Sequence, residues 1–141
     1  MHRGQQLFDD SLSNWWPAEQ ITEQDLATLG TEAVDVLLGH DAPHTAALTA
    51  ALAQTGHLWD PAPLKYAHRG HAMFQRGVQQ VRPKLVVSGH HHMHLDTTET
   101  VTSITGERSE MRSVILNKLG AAESTALLHV PSRRLQLLPE P

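Results

Sequence analysis

Apolar residues at helical spacing predict three helices in the first part of the chain. The first begins near Thr22, which stands three residues before Asp25 in a weak capping box, and ends at Gly30. An alanine- and leucine-rich segment predicts a second helix at 44–54, and a third helix is expected at 64–81, with gaps at Gly70 and Gly77. Polar residues and prolines predict irregular structure in the segments that remain, residues 1–17 and 59–63.

Short apolar runs predict strands between and after these helices. Residues 33–38 and 85–87 are almost wholly apolar, as in buried strands, and a Gly-His pair follows each of them. Beyond residue 96 the chain becomes β-branched and polar, and a turn is predicted at residues 105–107. Turn residues separate the last predicted strands, which are 113–118, 126–130 and 135–138.

The order of these elements predicts an α/β (α+β) fold with a mixed sheet and the helices outside it. Helical crossovers suit parallel pairing of the first two strands, whereas the closely spaced strands in the last third suit antiparallel pairing. The 141 residues are about the size of one domain.

Composition narrows the function classes. The chain has 11 Lys and Arg against 15 Asp and Glu, and the net charge of −4 disfavours nonspecific nucleic-acid binding. The absence of cysteine excludes disulfides and cysteine-based zinc sites, and it fits a cytoplasmic location. No apolar run suits membrane insertion, and the polar first residues do not resemble a secretory leader. The 11 histidines stand out, so any metal site must depend mainly on imidazole.

Histidines follow both apolar strands directly, at His40 and His90. If the two strands are parallel neighbours, both imidazoles emerge at the sheet edge where ligands of open α/β sheets bind. His90 and His92 would point to one side of an extended segment, and His91 would point away. We therefore predict metal ligands at His40, His90 and His92. The alternative at each position is a hydrogen-bonded surface histidine.

Other polar residues near these motifs are given structural interpretations. His68 and His71 share a helix face but lack an evident third ligand. We expect Asp41 to cap the following helix rather than act as a catalytic acid, and His44 to lie in that helix's first turn. His94 is expected in a loop.

Two motifs in this order resemble the C-terminal half of the calcineurin-like metallophosphoesterases. They are Gly-His-Asp-Ala-Pro, which begins at Gly39, and Gly-His-x-His, which begins at Gly89. The segments 15–22, 82–88 and 114–117 also resemble parts of that family, so the resemblance covers nearly the whole chain.

The resemblance implies a fold and a site. The family core is a four-layer αββα sandwich, of which this chain would supply the C-terminal half as one partial domain, 1–141. Family members hold two divalent ions, generally Mn, Fe or Zn, and a bridging hydroxide attacks the phosphate ester. His40 and His90 would bind the second ion, His92 would bind the first, and His91 would occupy a variable position.

The family's N-terminal motifs, Asp-x-His, Gly-Asp-x-x-Asp and Gly-Asn-His, are absent from the sequence. We therefore expect no catalytic residue in this chain, at most one weakly held ion, and little hydrolysis of a phosphate mono- or diester. The chain would be a truncated or split part of the enzyme. It would associate with an N-terminal half or form a homo-oligomer, because the apolar faces of residues 34–38 and 85–87 would lack a cover. The alternative is a non-catalytic metal-binding or interaction module derived from the same family.

Overall fold

The fold is known from a computed structural model, which describes residues 20–55 and 61–139, without the side chains of residues 55 and 61–67. The helices are α1 (Glu23–Leu29), α2 (Ala46–Thr55) and α3 (Pro61–Val81). The strands are β1 (Val36–Leu38), β2 (Leu85–Ser88), β3 (Leu95–Thr102), β4 (Arg108–Ile115), β5 (Ala126–His129) and β6 (Arg134–Leu137). The mixed α+β class is confirmed. The segment 1–17, predicted to be irregular, lies outside the described residues.

Four strands form one mixed sheet in the order β1-β2-β4-β3, and β5 pairs with β6 in a separate antiparallel hairpin. β1 and β2 are parallel neighbours, as predicted, with Val36 opposite Leu85. β4 is antiparallel to β3 but parallel to β2. The antiparallel pairing predicted among the strands of the last third is confirmed for β3 with β4 and for β5 with β6. The parallel return of β4 beside β2, at the centre of the sheet, was not predicted.

Helix α1 has the local signals that the sequence predicted. The Thr22 hydroxyl accepts a hydrogen bond from the Asp25 amide at 3.2 Å, and the Asp25 carboxylate accepts one from the Thr22 amide at 2.8 Å. This reciprocal capping box satisfies two donors at the helix start. Gly30 ends the helix with φ of 76°, a conformation that favours glycine.

Helix α3 starts earlier than predicted and is continuous. Residues 61–63 are helical rather than loop, since proline is tolerated in a first turn whose amides have no intrahelical acceptor. The rest of the predicted loop, residues 59–60, lies outside the described part of the chain. Gly77 does not interrupt the helix. A Cβ there would lie 3.3 Å from Leu29 and 3.4 Å from Leu26, so the glycine lets α1 approach closely.

The return strand of the β3–β4 hairpin also starts earlier than predicted. The turn at residues 103–107 is closed by the Gly106 amide, which donates to the Ser103 carbonyl at 3.0 Å. Gly106 has φ of 86°, and pairing of the two strands begins at Arg108. β4 consequently ends at Ile115, whereas the sequence pattern predicted a strand at 113–118.

Helices α2 and α3 contribute to the core on one face of the four-stranded sheet. Two clusters of buried apolar side chains form there, namely Phe74, Val78, Val86, Val101 and Met111, and Ala42, Leu48 and Ile115. Leu85 and Val86 of β2 are buried, so the expectation of an uncovered β2 was wrong. In β1, Leu38 is 66% exposed. Among the described helices, none has the length and apolar character needed to cross a membrane.

Candidate metal centre

The two Gly-His motifs meet at the carboxyl edge of the sheet. Pairing of β1 with β2 continues past the strands, because the Gly39 amide donates to the Val87 carbonyl at 3.1 Å. The Gly89 amide then donates to the His40 carbonyl at 3.2 Å. The backbone therefore holds His40 beside the start of the second motif.

His40 and His90 form an exposed pair. His90 Nδ1 and His40 Nε2 are 2.9 Å apart, so one ring donates a hydrogen bond to the other, and the ring centroids are 4.8 Å apart. Partial burial lowers the pKa of His90, the Asp41 charge opposes that shift, and the neighbouring imidazoles, His92 included, add to it. The exposed pair therefore consists of two of the three predicted ligands.

The third predicted ligand, His92, is exposed. The segment 90–92 is not extended, because His90 and His92 have φ of 66° and 53°. These left-handed conformations fall on the histidines rather than on Gly89. The expectation of an extended segment was therefore wrong, and His91 turns inward to Asp41. The ligand roles of His40, His90 and His92 stay a prediction.

A second group, the buried trio, consists of Asp41, His71 and His91. Each residue offers one potential ligand atom, and these atoms all lie within 4.8 Å of one another. His91 Nε2 is 3.4 Å from Asp41 Oδ1, and His71 Nδ1 is 3.9 Å from the same oxygen. The trio is therefore a group that could hold a metal ion.

Three separate elements supply the buried trio. Asp41 follows β1, His91 follows β2, and His71 lies inside α3. Phe74, one turn further along α3, packs directly on Gly39, where a Cβ would overlap its ring. This close approach is what brings the middle of α3 to the sheet edge. The Asp41 carboxylate is oriented by the Ala42 amide, which donates to Oδ1 at 2.8 Å.

Burial controls the charges in the buried trio. It lowers the pKa of His71 to about 4, although the Asp41 charge opposes the shift. Burial also raises the pKa of Asp41, but the contact with His91, the Ala42 amide and nearby imidazoles outweigh it and lower the pKa overall. Asp41 is thus a carboxylate at neutral pH beside a neutral His71, which is the protonation state that metal ligands require.

Asp41 and His44 do not have the roles expected from the sequence. Helix α2 begins at Ala46, and the Thr45 hydroxyl caps it by accepting from the Leu48 amide at 3.1 Å. Asp41 is too far upstream to cap that helix. His44 lies before the first turn, and its ring centroid is 4.0 Å from that of His71.

The remaining histidines near the motifs, His94 and His68, lie outside both groups. His94 lies in the loop before β3, as predicted, with its Nδ1 2.9 Å from the Ile115 carbonyl oxygen. His68 is exposed on α3, one turn before His71. The spacing of His68 and His71 was the sequence signal for a ligand on α3, but only the fold shows which of the two faces the edge.

The chain matches no protein-family model, no curated protein and no solved structure in the comparisons made. The resemblance to calcineurin-like phosphoesterases therefore depends on the motifs alone. What the structure adds is the meeting of these motifs at one sheet edge, together with a histidine–carboxylate group that could hold an ion.

Proposed function

We propose that this chain carries the C-terminal part of a divalent-metal phosphoesterase centre of the calcineurin-like type. His40 and His90 would bind one ion, and His92 would bind a neighbouring ion. The observation that supports this most is the 2.9 Å distance between the His40 and His90 nitrogens at the ends of parallel strands. Nitrogens about 2.1 Å from an octahedral ion lie about 3 Å apart at adjacent positions, so the exposed pair fits a shared ion.

The ions, when bound, would activate water and stabilise the charge on the phosphoryl oxygens. The chain's own residues have simpler tasks in this proposal. The exposed pair holds an ion beyond the strand ends, where a phosphate mono- or diester can approach. The negative charge of Asp41 acts on His90 and favours a cation there. Mn, Fe and Zn all suit imidazole ligands.

Hydrolysis needs ligands beyond those in this chain. A dinuclear site needs carboxylates to keep two cations close together, and the family motifs that supply them are absent from the sequence. The proposal therefore includes an N-terminal half, from the same gene or another chain, and a four-layer sandwich of which this mixed sheet is a part. It also includes a cytoplasmic location.

Manganese binding tests the exposed pair directly. Titration of the metal-free chain with Mn²⁺, followed by the electron paramagnetic resonance signal of free Mn²⁺, should show binding that His90→Ala weakens about tenfold or more. His129→Ala, which removes an exposed histidine from β5, serves as the matched control. Equal Mn²⁺ binding by wild type and His90→Ala would refute the proposed ligand role.

Hydrolysis of a chromogenic phosphodiester tests the reaction itself. We expect little turnover by the chain alone with Mn²⁺. Turnover should appear when a polypeptide bearing the three N-terminal motifs is added, and His90→Ala should abolish it. If Mn²⁺ binds through the exposed pair but no such polypeptide gives turnover, the phosphoesterase proposal fails although the metal site stands.

A non-catalytic metal-binding module is the second candidate. One observation favours it: among the described residues, Asp41 is the carboxylate whose charge acts on His90. A single carboxylate among many imidazoles suits one tightly held ion better than a dinuclear centre. Stoichiometric metal uptake without turnover, even with the N-terminal motifs supplied, would support this candidate.

A further inference from the structure

The proposed phosphoesterase centre leaves the buried trio without a ligand role. Asp41, His71 and His91 belong to none of the ligand positions assigned above, yet their ligand atoms lie within 4.8 Å of one another. They come from two loops and one helix, so sequence proximity does not account for their meeting. Such a convergence of imidazole and carboxylate groups requires its own explanation.

The side chains of the buried trio are largely, though not fully, shielded from solvent. The side chains of His91, His71 and Asp41 are 9%, 13% and 18% exposed. Burial of this degree removes most of the water that would otherwise solvate the ring nitrogens. Partial burial of all three side chains favours a small ligand such as a single ion.

One ring nitrogen of each histidine in the trio lacks a hydrogen-bond partner. Nε2 of His71 and Nε2 of His91 are both buried without a hydrogen bond. His91 Nε2 lies within ion-pair distance of Asp41, at 3.4 Å, but the contact lacks hydrogen-bond geometry. Buried polar atoms are nearly always satisfied in folded proteins, so the unpartnered Nε2 of His91, 3.4 Å from the Asp41 carboxylate, indicates a missing partner. A cation there would satisfy His91 Nε2 and the carboxylate together, and His71 Nδ1, which lies 3.9 Å from Asp41 Oδ1, would be the third ligand atom.

The donor set indicates which cation. Two imidazoles and one carboxylate, with a fourth position for water, are typical ligands of zinc and similar borderline divalent ions. Ligand atoms of a tetrahedral zinc ion lie roughly 3.4 Å apart, so the widest spacing in the buried trio would need to contract by up to about 1.4 Å. The Ala42 amide, which donates to Asp41 Oδ1, supplies the outer hydrogen bond that commonly orients a metal-binding carboxylate.

We propose that Asp41, His71 and His91 bind one divalent ion of the zinc class, at a site distinct from the exposed pair. The site is complete within this chain and does not rest on the proposed phosphoesterase function. Because the ion would link the ends of β1 and β2 to α3, it would also hold the histidine-rich loop against that helix.

A variant without the exposed pair isolates this site. The double variant His40→Ala/His90→Ala should still take up one Zn²⁺ per chain, measured by elemental analysis after gel filtration. Co²⁺ bound to the same variant should give the visible absorption spectrum of an ion that is coordinated by nitrogen and oxygen atoms. Absence of Zn²⁺ uptake by this double variant would overturn the proposal. Failure of the exposed pair to bind Mn²⁺ would not affect this result, because the variant lacks that pair.

Substitutions in the trio then identify the ligands. In the double-variant background, His71→Gln and His91→Gln should each lower Zn²⁺ affinity about tenfold or more, measured by competition with a chelator. His68→Gln is the matched control, because His68 is an exposed residue one turn before His71 on the same helix. Zn²⁺ affinity that is unchanged in both trio variants would refute the assignment.

A spectroscopic measurement on the unmodified chain tests the same ligands without any substitution, so it remains informative if a trio variant does not fold. Nitrogen-15 NMR of the imidazoles should show ring-nitrogen shifts for His71 and His91 when one equivalent of Zn²⁺ is added. The His129 ring should not shift. Shifts confined to His40 and His90 would place the ion at the exposed pair and overturn the proposal.

Discussion

The exposed pair and the buried trio lie side by side and differ in almost every physical property. His40 and His90 are exposed and bonded to each other, whereas the following residues, Asp41 and His91, turn inward toward α3. Neighbouring residues thus enter opposite environments at the same sheet edge. The difference shows that a histidine-rich motif can supply two kinds of site, one open to a substrate and one enclosed by the fold.

This difference determines what each group requires of a ligand. The nitrogens of the exposed pair satisfy each other, so an ion must displace a shared proton to bind there. In the buried trio, His91 Nε2, the nitrogen nearest to Asp41, has no hydrogen bond to lose. We therefore expect the trio to bind a zinc-class ion more tightly than the pair does, although the pair is the better match to a family motif.

The largest expected effect is the pH dependence of stability in the metal-free chain. Burial lowers the folded-state pKa of His71 from 6.5 to about 4, in a site that Asp41, His44, His68 and His91 also influence. Between these values the unfolded chain binds a proton that the folded chain does not. Stability should therefore fall as the pH drops from about 6.5 to about 4, by about 3 kcal/mol for this group.

Urea unfolding in the presence of a chelator at several pH values measures this effect. His71→Gln should remove most of the slope, while His129→Gln should leave it unchanged. A residual slope in the same direction is expected because burial also lowers the pKa values of His44 and His90. An identical slope in His71→Gln and wild type would show that His71 is not buried as a neutral ring.

The next largest effect should come from Asp41→Asn, which removes the one carboxylate of the buried trio. Zn²⁺ affinity at the trio should fall by roughly 100-fold, because a direct ligand matters at least as much as the outer partners that orient it. Isothermal titration with the exposed pair removed measures this change. Asp35→Asn is the control, since it removes the same charge from an exposed position just before β1. Equal losses in both variants would indicate a general charge effect rather than a ligand.

Much of the fold could be predicted from local sequence signals. Helix α1 needs only Thr22, Asp25 and Gly30, which act within one short segment. The parallel neighbours β1 and β2 followed from two apolar runs separated by helical segments. The start of α3 at Pro61 and the start of β4 at Arg108 could not be predicted. The first depends on prolines being placed in a helical first turn, and the second depends on the position of the hairpin turn.

The candidate site could be predicted only in part. The placement of His40 beside His90 followed from strand order. The buried trio could not be found this way, because His71 reaches the edge through the packing of α3 on β1. The direction of His91 depends on positive φ angles at His90 and His92. The sequence would place such angles at the neighbouring Gly89, because glycine adopts them most readily.

A smaller effect is expected from the two glycines of the Gly-His motifs. In Gly39→Ala the new Cβ would collide with the Phe74 ring, so we expect a loss of about 1–3 kcal/mol in unfolding free energy. In Gly89→Ala no atom lies within 4 Å of the new Cβ, and the change should stay within about 0.5 kcal/mol. Thermal and urea unfolding of the two variants measures the contrast.

A double-mutant cycle with Phe74→Leu checks the cause. The smaller side chain should make the Gly39→Ala substitution less costly, because the two positions are in direct contact. Additive effects of the two substitutions would contradict the packing that brings α3 to the strand ends, and with it the geometry of the buried trio.

The smallest effect should be that of His40→Ala on the stability of the metal-free chain. His40 is exposed, and its hydrogen bond to His90 is open to competition from water, so the unfolding free energy should change by less than about 0.5 kcal/mol. His91→Ala leaves a gap at a position that is nine-tenths buried, and it should cost more. If His40→Ala proved as destabilising as His91→Ala in chelator, the exposed pair would be a structural contact, and its assignment as an open metal site would have to be abandoned.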